Sequence, residues 1–156
     1  MIDCYTAALR ILHYRFNSEA ELRRKLRAKK FEKDDIDAAI ARLHSEKWLD
    51  DQRFAGAFVR TRANKRVGQL RIRRELQSAG VSEDAAARAI AENVDAEREG
   101  EALRELCARR LRVLLRRERT SEEMHAKLAS WLIAQGYDSA LVWQVVRDAV
   151  RNAEKS

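Results

Sequence analysis

His13, His44 and His125 stand far apart in the chain, and none belongs to an HExxH or comparable ligand pair. Cys4 and Cys107 fit no Cys-x-x-Cys or zinc spacing, so they read as ordinary thiols of a reducing compartment. There is no glycine-rich phosphate loop ending in Lys and Ser or Thr, and no GxSxG. The acidic pairs Asp34-Asp35 and Asp50-Asp51 have carboxylates that could ligate a metal. Acids at helix starts also meet free N–H groups and the positive end of the helix dipole, and both pairs are assigned there. The expectation is a protein with no catalytic residue, no metal and no cofactor.

Phosphate recognition is the chemistry that this sequence can do. Arg53, Arg60, Arg62, Lys65, Arg66, Arg71, Arg73 and Arg74 are eight basic residues with no acid between them. Arg23, Arg24, Lys25, Arg27, Lys29 and Lys30 form a second cluster, and Arg109, Arg110, Arg112, Arg116, Arg117 and Arg119 a third. With 32 Lys and Arg against 25 Asp and Glu, the formal charge is +7, and the excess is spread over all three thirds of the chain. Each cation set against a phosphate releases a condensed counterion, so a polyanionic partner is favoured. For any one cluster, solvation of an exposed helix face explains the residues equally well. Three clusters at similar places along the chain weaken that explanation. Trp48, Trp131 and Trp143 could stack on bases, but each lies beside a predicted apolar face and is assigned to the core.

These side chains have to be positioned by helices. The composition is 37% charged and 46% apolar, with no proline and five glycines, which suits solvated helices and lacks the turn residues of a small β protein. A pattern recurs three times, as Leu22, Leu26, Phe31; Ile72, Leu76, Val81; and Leu128, Leu132, Tyr137. The first two residues stack one turn apart on a helix, and the third follows a helix stop and seals it. Gly80 and Gly136 precede the third residue, where a left-handed cap wants glycine; Lys30 occupies that place in the first copy, at a cost of roughly 1 kcal/mol. Ser18 with Glu21 and Thr120 with Glu123 have capping-box spacing.

A helix is predicted before each motif, over about 4–14, 51–65 and 101–117, and another after it, over about 35–45, 83–93 and 139–152. The acid-rich stretch 92–101 is expected to be a hinge or an extension of the helix that follows it. The fold class is therefore all-α, with three tandem three-helix repeats, 1–49, 50–98 and 99–156, forming an elongated, curved array. In the middle repeat Phe54 and Phe58 mark the inward side, with Arg62 one turn beyond and able to snorkel outward. Arg71 and Arg74 share an exposed face with Ser78, opposite the buried Ile72 and Leu76. No apolar run approaches membrane-spanning length and no signal-peptide pattern opens the chain, so a cytoplasmic location is expected.

The strings SEAELRRKL (18–26) with Phe31, LDDQRFAGAFVRTR (49–62), Gly68, RIRREL (71–76) and GV (80–81) resemble the bacterial RecX regulatory proteins. WLIAQGYDSALVWQVV (131–146) continues the resemblance more weakly, so that it covers nearly the whole chain. The resemblance implies tandem three-helix repeats acting on RecA, the recombinase that polymerises on single-stranded DNA. It further implies placement in the groove of the RecA filament and suppression of its ATPase, strand-exchange and co-protease activities. Arg53, Phe54, Phe58, Arg62, Gly68, Arg71 and Ile72 match the family core. Two departures concern turn geometry: Gln69 stands where family members often have proline, and Lys30 replaces the usual glycine before Phe31.

The residues expected to contact RecA or DNA are Arg23, Arg24, Arg27, Arg53, Arg60, Arg62, Lys65, Arg66, Arg71, Arg73, Arg74, Arg109, Arg110, Arg116 and Arg117. The expected partners are the RecA filament and its single-stranded DNA, engaged by a monomer. Direct nucleic-acid binding without RecA is the alternative, and a helical scaffold for an acidic protein surface is a third.

Overall fold

Helix starts are set by short polar side chains whose oxygens meet free main-chain N–H groups. Ser18 and Glu21 form a complete capping box, with Glu21 N donating to Ser18 Oγ and Ser18 N to Glu21 Oε1, both at 3.1 Å. At Thr120 the hydroxyl accepts from Glu123 N at 3.2 Å. Asp50 Oδ1 accepts from the Gln52 and Arg53 amides. Asp34 and Asp35 lie in a first helical turn, after a cap at Glu32 that makes no side-chain bond.

The computed structural model describes residues 1–117 and 120–155, and among these every regular element is a helix. The helices are α1 (Cys4–Tyr14), α2 (Glu19–Ala28), α3 (Lys33–Ser45), α4 (Asp51–Asn64), α5 (Gln69–Ser78), α6 (Glu83–Asn93), α7 (Ala96–Leu115), α8 (Ser121–Ala134) and α9 (Ser139–Glu154). Most bounds fall within two residues of the sequence expectation. The exception is α7, which starts at Ala96 because Asp95 caps it, accepting from Glu97 N at 3.0 Å. The acid-rich stretch thus extends a helix.

Five helix stops among the described residues share one geometry. Lys30 (φ 70°), Gly80 (φ 81°) and Gly136 (φ 102°) all adopt the left-handed conformation predicted for them. In the first two turns the next residue donates back to the helix, Phe31 N to Leu26 O and Val81 N to Leu76 O, as in a Schellman motif. Two further left-handed stops use basic residues. Lys47 (φ 63°) ends α3, with Trp48 N on Leu43 O, and Arg66 (φ 58°) ends α4, with Val67 N on Arg62 O.

The chain forms two compact units. The first comprises Met1–Phe58 with Glu75–Glu92, and the second Val59–Arg74 with the described residues from Asn93 onward. In the first, α1, α2 and α3 bury Ala8, Leu22, Leu26, Ile40, Leu43 and Leu49 in one cluster. In the second, α7, α8 and α9 bury Leu103, Cys107, Leu128, Leu132, Tyr137, Val142 and Val146. Leu22, Leu26, Ile72, Leu76, Leu128 and Leu132, the paired positions of the repeated motif, are all fully buried. Phe58, expected inside, is only half-buried, whereas Phe54 is buried.

Each unit contains a junction between a helix start and a helix stop. In the first, Ser18 Oγ, at the start of α2, donates to Ala79 O in the turn after α5, and the Ala20 side chain fills the space over Gly80. In the second, the start of α5 meets the turn after α8: Gly68 N donates to Gln135 O at 2.8 Å and Leu70 N to Gly136 O at 3.0 Å. Amides left over at one helix start are thereby paired with carbonyls left over at another helix stop. A Cβ on Gly68 would lie 2.3 Å from Gly136 C, and one on Gly136 would lie 2.4 Å from the Cβ of Arg71. Lys30, at the corresponding turn after α2, is exposed.

Candidate binding surface

Packing sorts the expected contact arginines into those held by the fold and those left outside. In the first unit Arg23 is half-buried and paired with Asp37 at 2.6 Å and Glu19 at 3.2 Å. Its neighbours carry a network. Burial opposes ionisation of Glu19, but hydrogen bonds from His44 (2.6 Å) and Arg23 outweigh it and hold the carboxyl below its usual range. Asp51 Oδ1 accepts from Glu19 N at 2.8 Å, and burial raises the Asp51 carboxyl. Arg23 therefore belongs to the joint between α2, α3 and the start of α4. Arg24 and Arg27, one and four residues on, are exposed and make no ion pair or side-chain hydrogen bond among the described residues.

Arg53 is exposed but anchored. Its Nη2 donates to the carbonyls of Lys47 (3.1 Å) and Trp48 (3.4 Å), and its guanidinium lies 5.8 Å from the centre of the Phe16 ring.

In the second unit Arg66 donates twice to Glu105 Oε2, at 3.1 Å from Nε and 2.7 Å from Nη2. That pair, with Arg109 adding to the field, keeps the Glu105 carboxyl below its usual range. Arg60 donates to Asn93 Oδ1 at 3.0 Å. Arg62 is half-buried, while Lys65, Arg73 and Arg74 are exposed. Arg71 corrects the expectation of an exposed pair with Arg74. It is half-buried, its Cβ sits against Gly136, and its Nη1 reaches Gln135 Oε1 at 3.3 Å. Arg71 is a packing residue of the second junction, and of the pair Arg71 and Arg74 only Arg74 is exposed.

Arg109, Arg110, Arg116 and Arg117 are exposed. Arg110 stacks 5.1 Å above the Trp131 ring. Arg119 lies outside the described residues. The repeat spacing of fifty residues between Leu22 and Ile72 places Arg24 and Arg74 at the same position of successive repeats, and both are exposed.

The tryptophans overturn the core assignment. Trp48 is 56% exposed and Trp143 is also exposed, while Trp131 is half-buried beneath Arg110. Sequence proximity to leucine and valine did not reveal the side of the helix or turn from which each ring projects. The sharper signal was the offset of five residues from Leu43 to Trp48, the same as from Leu26 to Phe31, which marks a position following a left-handed stop.

Among the described residues no cluster of His, Cys, Asp or Glu could hold a metal, and no helix is long and apolar enough to cross a membrane.

Comparison with known proteins agrees with this architecture. Residues 4–43 match the model of the first three-helix domain of RecX, and residues 50–90 that of the second. The regulatory protein RecX of Clostridium perfringens (strain 13 / Type A) is 31% identical over 151 residues, covering 97% of this chain and 70% of the relative. That of Xanthomonas campestris pv. campestris (strain B100) is 45% identical over 84 residues, 54% of this chain and 52% of the relative. The crystal structure of RecX from Lactobacillus salivarius superposes with a TM-score of 0.80 at 23% identity, covering 94% of each chain. A second crystal structure of a regulatory protein RecX gives 0.82, also at 23% identity, over 93% of this chain and 70% of the other.

Proposed function

Because this chain belongs to the RecX family of regulatory proteins, we propose that it binds the RecA filament on single-stranded DNA and restrains its ATPase, strand-exchange and co-protease activities. The observation that supports this reading is the pair Arg24 and Arg74. They are exposed guanidinium groups at one position of two successive repeats, on helices whose opposite faces are buried through Leu22 and Leu26 or Ile72 and Leu76. Repeated cations on a packed support suit a partner that is itself a repeating polyanion-bearing polymer. The contribution of each is electrostatic and exposed, so it acts on recognition and association rate more than on folding.

The test is the RecA ATPase on single-stranded DNA, measured with and without the protein. Inhibition is expected at or below stoichiometric ratio, and the double variant Arg24→Glu, Arg74→Glu should stay folded and inhibit more weakly. Unchanged ATPase at stoichiometric protein overturns the proposal. Arg71 is excluded from this test because changing it disturbs the junction with Gln135 and Gly136.

A second reading, direct nucleic-acid binding without RecA, is favoured by Arg109, Arg116 and Arg117, all exposed. Phosphate contacts of that kind predict an affinity that falls steeply with salt in the absence of RecA.

A further inference from the structure

Among the described residues five helix stops use a left-handed residue followed by an apolar one, and four of those apolar residues turn inward. Val67, Val81 and Tyr137 are 9%, 5% and 1% exposed, and Phe31 is half-buried. Trp48 is the exception. Its amide is bound to Leu43 O at 2.9 Å as in the other turns, yet the largest side chain of the set stands out in solvent. A sealing residue that does not seal calls for another use.

The surroundings of Trp48 say what it would meet. Within the first unit Trp48, Phe16, Leu9, Leu12, His13, Lys47 and Arg53 line a cavity of about 610 Å³. That lies within the roughly 300–1,000 Å³ range of small-ligand sites. The lining is apolar and aromatic, with two cations and a histidine, and it includes no carboxylate. Arg53 is fixed by the carbonyls of Lys47 and Trp48 through Nη2 alone, so Nε and Nη1 remain without a partner among the described residues. Glu46, an acid close to Trp48 in sequence, is engaged by Arg42 at 2.8 Å and by the Tyr5 hydroxyl. That carboxylate is not among the residues lining the cavity, and Trp48 is 56% exposed.

Flat apolar faces beside fixed cations suit a ligand that is planar and aromatic at one end and anionic at the other. We propose that this pocket is a stacking site for an unpaired base of single-stranded nucleic acid. Trp48 and Phe16 supply the platform, and Arg53 and Lys47 hold the adjoining phosphates. Stacking of this kind tolerates any base, since every base has a π face, and Arg contributes a cation–π component. The proposal does not rest on RecA and is tested without it.

The full chain is titrated into a labelled oligothymidylate and into an abasic oligomer of the same length and charge, with fluorescence anisotropy and tryptophan emission as readouts. The wild type should prefer the thymidylate, and its emission should fall on binding. Trp48→Ala should weaken thymidylate binding by about tenfold or more, the range of single base–aromatic contacts, and abolish the preference over the abasic chain. Trp48→Phe should keep most of the affinity while losing the quenching, which separates loss of stacking from loss of folding. Arg53→Gln should weaken both oligomers together. Equal affinity of wild type and Trp48→Ala for the thymidylate overturns the proposal. If Trp48→Ala binds DNA as the wild type does but loses its effect on RecA, the pocket is a protein-docking site and the proposal likewise fails.

Discussion

Replacing Gly68 with alanine tests the second junction directly. The new Cβ would lie 2.3 Å from Gly136 C, 2.4 Å from Gly136 O and 2.6 Å from Tyr137 N, all main-chain atoms that cannot rotate aside. Ordinary contact begins at 3.4 Å, so the start of α5 has to retreat by about 1 Å. A retreat of that size stretches the 2.8 Å bond from Gly68 N to Gln135 O and the 3.0 Å bond from Leu70 N to Gly136 O beyond hydrogen-bond range. Two such bonds are worth roughly 1–3 kcal/mol together, and residual overpacking adds about 1–3 kcal/mol, so a loss of about 2–6 kcal/mol is expected. Urea denaturation supplies the measurement, with amide exchange at Gly68 and Leu70 as the local readout. First-turn helix amides ordinarily exchange quickly, whereas these two should be protected in the wild type and exposed in the variant. Gly100→Ala is the matched control, because a Cβ there meets only the mobile end of Arg104 at 3.4 Å. In the second turn of α7 it should stabilise by about 0.5–1 kcal/mol. If Gly68→Ala unfolds within about 0.5 kcal/mol of the wild type, a value typical of neutral surface changes, the junction does not carry the load assigned to it.

Three further outcomes can be measured. Lys30→Gly should raise stability by about 1 kcal/mol in urea melts, because it removes the left-handed penalty at φ 70° without disturbing any packed neighbour. Tyr137→Phe should cost about 1 kcal/mol at neutral pH through loss of the hydroxyl bond to Arg66 O at 3.0 Å. Burial pushes the Tyr137 phenol up from 10.0 to about 12, so its contribution is complete below pH 10 and lost as the pH rises through 12. The variant's stability should therefore decline less than the wild type's across that window. Cys4 and Cys107 are buried, and burial raises both thiols, Cys107 to about 11. Native protein should resist an aromatic disulfide reagent at pH 8 and react at both cysteines once unfolded.

What sequence alone reveals here is what depends on neighbours a few residues away. Ser18 and Glu21 announce a helix start, and Leu22, Leu26 and Phe31 announce a buried stripe and its stop, because each feature is complete within one or two turns. The stops at Lys47 and Arg66 escaped notice because glycine was the cue, and a basic residue takes the left-handed position in both. Arg71 was placed on an exposed face because helix periodicity knows nothing of Gly136, sixty-five residues away, whose turn packs against it. The same limit separated Arg23, which meets Asp37 on the next helix, from its exposed neighbour Arg24. Basic composition groups these residues as one class and cannot divide them into anchors, such as Arg23 and Arg71, and exposed charges, such as Arg24 and Arg74.

The contrast between Lys30 and its glycine counterparts gives this architecture a direction of growth. At Gly80 and Gly136 the start of a helix from the repeat before is seated where a side chain would otherwise stand. A lysine Cβ at residue 30 fills that seat, so a duplicated repeat joined upstream could dock in the same way only after Lys30 had been exchanged for glycine. Tandem duplication therefore meets a one-residue barrier on that side. A chimera with an extra repeat spliced before Lys30 would need that exchange before its new junction could close.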